Sequence, residues 1–302
     1  MTQATAPASE DLQLRCRAAF PDHPLFAGIA PFKDYFSGPI ERWNDLLASR
    51  NDGSDLRFVA QTPDLLADGL HYEERIARLG RIASRENDTH DAFNALIWLR
   101  HEALKRAMNA RQVADIARVG PKQRTRGQCA LTHFDEAGAI VWLSDAELVS
   151  AWNAHDWRTL FVTHRDAWGA RIAVTIVGHA LFDFALDRDE APVAKALAVL
   201  VDADDLAERS CDAVIASWPA AEASIARTIA AGQCLADPQE LRPLPLAGIP
   251  GWDEGGQSDV FYASAPCFRP LRPGRRYPAP SRLVVQNDRS THVDFIAQAA
   301  VR

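Results

Sequence analysis

Between Ser84 and Arg111 the apolar positions recur at three- and four-residue spacing. Phe93, Leu96, Leu99, Ala103, Leu104 and Ala107 take one arc of a helix wound at about 100° per residue. The pattern predicts one long helix, with Asn87, Asp88 and Thr89 supplying short polar side chains that can cap its start. Upstream, helical periodicity is read over residues 9–19 and 39–50, a short strand over 56–61, and a short amphipathic helix over 71–80, closed by Gly80. Downstream, two apolar runs flank Asp135-Glu-Ala-Gly138, which predicts a β-hairpin over 128–144. Helices are expected over 145–154 and 156–168. Residues 171–186 begin as a strand and bend at Gly178 into a helix. Residues 195–201 suit a short strand or helix, and the Ala-rich run 202–232 is helical with an interruption at Pro219.

Half of the 18 prolines lie between residues 238 and 280. The residue before each proline is pushed toward extended geometry, so 242–252 cannot be a helix. The fold expected is α-rich α+β: a single globular domain with small β-hairpin elements and an irregular Pro-rich C-terminal wrap. Residues 1–8 read as disordered, 9–235 as the main domain, and 236–302 as the Pro-rich segment packed on it, with Trp252 either tethering that segment or anchoring a partner.

On the predicted helix, Asn87, His90, Asn94, Trp98, His101, Lys105, Asn109 and Gln112 fall along one line, with Asp91 beside it. A solvated helix face is rich in Glu, Lys and Arg, and this one is mostly Asn and His. Asn is a poor helix former, so its amide is expected to have a definite partner. Neighbouring His and Asp can be metal ligands, or a base and the group that orients it. Lys105 can hold an anion or, if desolvated, act as a base. The structural alternative is that Asn87 to Thr89 only cap the helix, that His90 bonds a backbone carbonyl, and that Lys105 and Asn109 face water.

Length, charge and cysteines narrow the class. The chain has 302 residues, 47% hydrophobic and 24% charged, an ordinary globular mix. A formal net charge of −7 disfavours a general nucleic-acid surface. The basic run Arg272-Pro-Gly-Arg-Arg276 reads as a solvated loop, with a phosphate-binding patch as the alternative. Five scattered cysteines without C-x-x-C form neither a disulfide framework nor a zinc ribbon, and suit a reducing compartment. No segment reads as a signal peptide or a membrane span, so a cytoplasmic protein is expected. There is no P-loop, G-x-G-x-x-G, G-x-S-x-G or H-E-x-x-H.

The segments "YEERIARLGRIASRENDTHDAFNALIWL", "KRAMN", "ALTHFDEAGAIV", "GHAL" and "PLPLAGIPGW" occur in this order. Over roughly residues 56–270 the chain resembles a bacterial family of proteins known as domain of unknown function 3025. It departs from the family pattern at Arg100-His101, where members typically carry Phe-Pro, and at Gln128-Cys129, where they carry Arg-Asp. The resemblance implies no reaction.

The residues point to an enzyme, with a metal-dependent hydrolase as the first candidate, acting on a small anionic molecule. His90, Asp91, Asn94 and Lys105 are the catalytic candidates. Arg85, Asn87 and Asn109 would bind substrate. His90, Asp135, Glu136 and His179 would hold a divalent metal, which takes three or four such donors. A narrower variant, an HD-type phosphohydrolase, would use His71, His90-Asp91 and Asp135. The other class is a non-catalytic binding protein that uses the Pro-rich segment as a partner surface.

Overall fold

Local signals set most element boundaries in the computed structural model, which describes residues 23–50, 53–187, 192–253 and 255–283. The N-terminal tail and the helix expected at 9–19 lie outside the described residues. Helix α1 spans Ile40–Ser49, strand β1 Arg57–Ala60, the single turn α2 Pro63–Leu66 and helix α3 Tyr72–Leu79. The His71 side chain caps α3 by accepting from the Glu73 amide, and Gly80 ends it at φ 64°, a left-handed conformation glycine adopts without steric cost. Strand β2, Arg81–Ser84, returns to pair in parallel with β1.

The expected long helix is two helices, α4 (Thr89–Arg100) and α5 (Glu102–Val119). They meet at His101, whose backbone leaves helical geometry at φ −123° and ψ 43°. The buried His101 ring faces Glu222 Oε2 at 2.9 Å and Ile176 O at 3.1 Å, so tertiary partners hold the break that periodicity could not show.

The hairpin expected at 128–144 is instead a helix followed by a strand. Helix α6 (Arg126–Ala137) runs straight into β3 (Gly138–Leu143). Thr125 and Gln128 form a capping box at its start, and Ala130, Leu131 and Phe134 are buried along one helical face. Asp135-Glu-Ala-Gly138 is therefore a last helical turn and a first strand residue.

Helix α7 (Ala146–Asn153) follows, capped by Asp145, which accepts from the Glu147 amide. The helix expected at 156–168 is only a π turn, Thr159–Thr163, and a 3-10 turn, Arg165–Ala167. Strand β4 (Ile172–Ile176), helix α8 (Ala180–Asp187), strand β5 (Val193–Leu200) and helix α9 (Ala203–Arg209) come next. Helix α10 (Pro219–Ala230) begins on its proline, whose missing amide hydrogen is not needed in a first turn. Strand β6 (Arg242–Pro245), helix α11 (Asp259–Ser264) and strand β7 (Ser281–Arg282) complete the described chain.

The larger sheet runs β4-β3-β5-β6, with β7 also pairing with β5. Only β3-β5 and β5-β7 are parallel. Alternate residues serve two cores. Ala139, Val141 and Leu143 of β3 pack into one with α1, α4 and α7, and Ile140 and Trp142 into the other with α5, α6 and α10. Helices thus cover both faces, which is why β3 and β4 are apolar almost throughout.

The fold is an α-rich α+β domain. Its Pro-rich segment enters the sheet through β6, and Leu244, Leu246, Ile249 and Trp252 are all buried. Trp252 is only 4% exposed, so the partner-anchor reading of this residue fails. Its indole donates to Asp212 O, and its carbonyl lies 3.0 Å from His23 Nε2. Among the described residues, no helix is long and apolar enough to cross a membrane.

Candidate metal centre

Two glycines bring the site together. The Gly138 carbonyl accepts from the amides of Val177 and Gly178, at 3.0 and 2.8 Å, where β3 starts and β4 ends. A Cβ on Gly178 would lie 2.2 Å from Gly138 N and 2.5 Å from Ala137 C, so no side chain fits there. This contact presses His179, just after β4, against Asp135 and Glu136 in the last turn of α6. The His179 amide donates to Asp135 O at 3.2 Å. His90 arrives from the first turn of α4, which packs against α8.

Three donor atoms converge. His90 Nε2 and His179 Nε2 are 3.0 Å apart, and Glu136 Oε2 lies 3.8 Å from the first and 3.6 Å from the second. The point equidistant from all three lies about 2 Å from each, the distance at which imidazole nitrogen and carboxylate oxygen bind zinc. His90 is further fixed by Asp183 of α8, whose Oδ2 is 2.8 Å from Nδ1. A carboxylate on the outer nitrogen holds the imidazole in the tautomer that presents Nε2. On His179, Nδ1 is buried with no hydrogen-bond partner among the described residues and faces Asp135 Oδ2 at 4.0 Å.

The environment separates the two imidazoles. The hydrogen bond to Asp183 holds the His90 pKa above the usual histidine value, against the opposing effect of burial. Burial pushes His179 down to about 3, outweighing the nearby Asp135 carboxylate, so it is neutral and available as a ligand. Burial raises the Glu136 carboxyl, against the attraction of His90.

The donors line a cavity of about 360 Å³ that α3, α4, α5 and α6 border. Along it runs a chain of hydrogen bonds. Asn94 Nδ2 donates to the Tyr72 hydroxyl at 3.2 Å, and Lys105 Nζ donates to Asn94 Oδ1 at 2.9 Å and to Asp135 Oδ1 at 2.5 Å. Lys105 is only 4% exposed and sits 5.2 Å from the Trp98 ring centroid. Burial works against the Asp135 charge, but the Lys105 ammonium holds its pKa below the ordinary value. Asn109 Nδ2 donates to Glu73 Oε2 at 2.6 Å, and burial still raises the Glu73 carboxyl to about 6.

The stripe therefore survives the break at His101. His90, Asn94, Trp98, Lys105, Asn109 and Gln112 all line the cavity, as do Arg85, Asp91, Asp135, Glu136 and His179. Two of the line do not: Asn87, a loop residue at φ 59° on a separate depression, and His101, buried on Glu222. Asp91 takes three hydrogen bonds from Arg85, at 2.6 to 3.1 Å, rather than standing free as a base or ligand. Asp135 pairs with Lys105 and stays outside the donor triangle. His71 caps α3 and is not among the cavity residues, so the His71, His90-Asp91, Asp135 combination does not assemble.

Sequence reasoning missed Tyr72, Glu73 and Asp183. Tyr72 and Glu73 open an amphipathic helix and carry no local signal that sets them apart. Asp183, an acid inside the apolar run "HALFDFAL", was the available signal.

A family model described as "Protein of unknown function (DUF3025)" matches residues 56–272, and the chain belongs to that family. No curated protein and no solved structure matches it. The matched span contains every residue of the donor triangle.

Proposed function

We propose that this family member is a divalent-metal-dependent hydrolase acting on a small anionic molecule, with His90, His179 and Glu136 as the metal ligands. The convergence of three donor atoms about one point, with Asp183 behind His90, carries the reading. Two histidines and one carboxylate leave a coordination position open, the pattern of catalytic rather than structural sites. When bound, the metal would polarise a substrate oxygen and lower the pKa of a coordinated water.

The chain's own groups suit the rest of the chemistry. Glu73, with a pKa of about 6, is a carboxyl in the same cavity that can exchange a proton near neutrality. Lys105 neutralises Asp135 and Arg85 neutralises Asp91, so neither acid strongly repels an anion. The Arg85 side chain is 51% exposed at the cavity and can offer its guanidinium to a carboxylate or phosphate. Asn94 and Asn109 are fixed by their own bonds and shape the wall. Cys129, Cys211 and Cys234 are free thiols, which suits a reducing cytoplasm.

The test is turnover of phosphomonoester, phosphodiester and carboxylic ester probes after loading with Zn²⁺ or Mn²⁺. Oxygen uptake is followed alongside, because the same donor set serves iron oxygenases. Metal-dependent hydrolysis that falls at least 100-fold in Glu136→Gln and His179→Ala is expected. Hydrolysis undiminished in both variants, or oxygen consumption in place of hydrolysis, overturns the reading.

A further inference from the structure

A second cavity, of about 770 Å³, lies where the Pro-rich segment crosses β5 and β6. Its size suits a drug-sized or nucleotide-sized molecule. Its charge is one-sided. Among the described residues, Lys195, Arg269, Arg272 and Arg275 line it against one acid, Asp253, in a chain whose net charge is −7. No ion pair neutralises any of these four cations among the described residues, although Arg75, Arg85, Arg106 and Arg126 elsewhere each have a carboxylate. Arg269 and Arg272 act on Lys195, adding to burial in lowering its pKa, as like charges held together do.

Beside them Arg242, 2% exposed, has only neutral acceptors among the described residues: Asn153 Oδ1 at 2.7 Å and the carbonyls of Glu240 and Pro278. A buried guanidinium held only by neutral acceptors is costly, and the cations around it leave an anion at the cavity mouth well placed to offset that cost. Flat rings complete the wall. The Arg275 guanidinium sits 4.4 Å from the Tyr277 ring centroid, His155 stacks on Tyr277 with its Nε2 at 2.8 Å from the hydroxyl, and Trp157 lies beside His155.

We propose that this cavity is a binding site for a small polyphosphorylated molecule. Lys195, Arg269, Arg272 and Arg275 take the phosphates, and the Tyr277, His155 and Trp157 wall gives any attached ring a flat surface. Arg272 and Arg275 belong to the basic run whose sequence also suited a solvated loop. This site is independent of the metal centre. Among the described residues the two share no lining residue, and α6 contributes His133 to one and Thr132, Asp135 and Glu136 to the other.

Isothermal titration calorimetry of the full chain in EDTA, at fixed ionic strength, tests it with inorganic tripolyphosphate, adenosine triphosphate and citrate as probes. Saturable binding of tripolyphosphate at one site per chain is expected, at least tenfold tighter than citrate. It should weaken at least tenfold in the double variant Arg269→Ala/Arg272→Ala, whose side chains are exposed, and separately in Lys195→Met. His90→Ala should leave it unchanged. Tighter binding of the nucleotide than of tripolyphosphate supports the ring-bearing wall as well. Citrate binding equal to tripolyphosphate, affinity unchanged in the variants, binding lost in His90→Ala, or no saturation at millimolar probe each overturns the proposal.

Discussion

His179 concentrates the site's physics in one side chain. It is buried, neutral, aimed through Nε2 at His90 and Glu136, and without a partner at Nδ1 among the described residues. Its neighbour His90 depends on Asp183 for orientation, so Asp183→Asn should weaken metal affinity about 10- to 100-fold with the fold intact. Equilibrium dialysis against a competing chelator measures this, and an unchanged affinity would show that Asp183 does not position the ligand.

Lys105 makes a different prediction. Replacing it by Met keeps the bulk but leaves the Asp135 carboxylate without its ammonium, at a cost of about 2–3 kcal/mol at pH 7. The Asp135 pKa is depressed in the folded protein, so the stability it contributes is present above the unfolded pKa, near 3.8, and lost as pH falls through the lower folded value. The penalty in Lys105→Met should therefore shrink below about pH 4, and Lys105→Met/Asp135→Asn should recover part of it. Urea denaturation across pH reads both effects.

Glu73 has the opposite sign. Its folded pKa, about 6, is above the ordinary value of 4.5, so its stability contribution is full below about pH 4.5 and lost as pH rises through 6. Glu73→Gln keeps an acceptor for Asn109 and should be about 2 kcal/mol more stable than the parent at pH 7.5, with little difference near pH 4.5. A parent equally stable at pH 7.5 would contradict the raised carboxyl.

At the scale of elements, the junction of α6 with β3 positions the centre. Gly178→Ala would place a methyl against the backbone of Ala137 and Gly138, which cannot swing aside as a side chain could. A loss of about 2–4 kcal/mol in stability is expected. Thermal unfolding with and without added metal checks it, and metal should rescue the variant less than the parent.

This junction also marks where sequence reading stops. The stripe from His90 to Gln112 was legible because helical phase is local and persists across a single break. The break at His101 was not, because its causes, Glu222 and the Ile176 carbonyl, are remote in sequence. The turn residues Asp135 and Gly138 suggested a hairpin. Yet the Thr125–Gln128 capping box and the helical spacing of Ala130 and Phe134 were there to be read. Asp135, Glu136 and His179 could be grouped by chemistry alone, but only the Gly138–Gly178 contact reveals which of them converge. Lys105 then removes Asp135 from the set, a choice made by a pairing 30 residues apart.

For the whole molecule, the Pro-rich segment is part of the sheet as well as its cover. Removing the chain from Pro238 onward deletes β6, uncovers β5 and exposes the surfaces beneath Leu244, Leu246, Ile249 and Trp252. An uncovered edge beside exposed apolar area favours association. The truncated protein should aggregate or melt well below the parent in light scattering and calorimetry. A monomeric product with the parent's melting temperature would mean that the segment only lies on a finished core.

The central claim, that one metal ion is held between His90, His179 and Glu136, is tested most directly by metal analysis of the purified full chain beside His179→Ala, with circular dichroism of both. The predicted result is close to one equivalent of zinc, manganese or iron in the parent, almost none in the variant, and matching spectra. A parent that takes up no divalent metal when dialysed against micromolar Zn²⁺, Mn²⁺ or Fe²⁺, or a variant that retains the full equivalent, would contradict it.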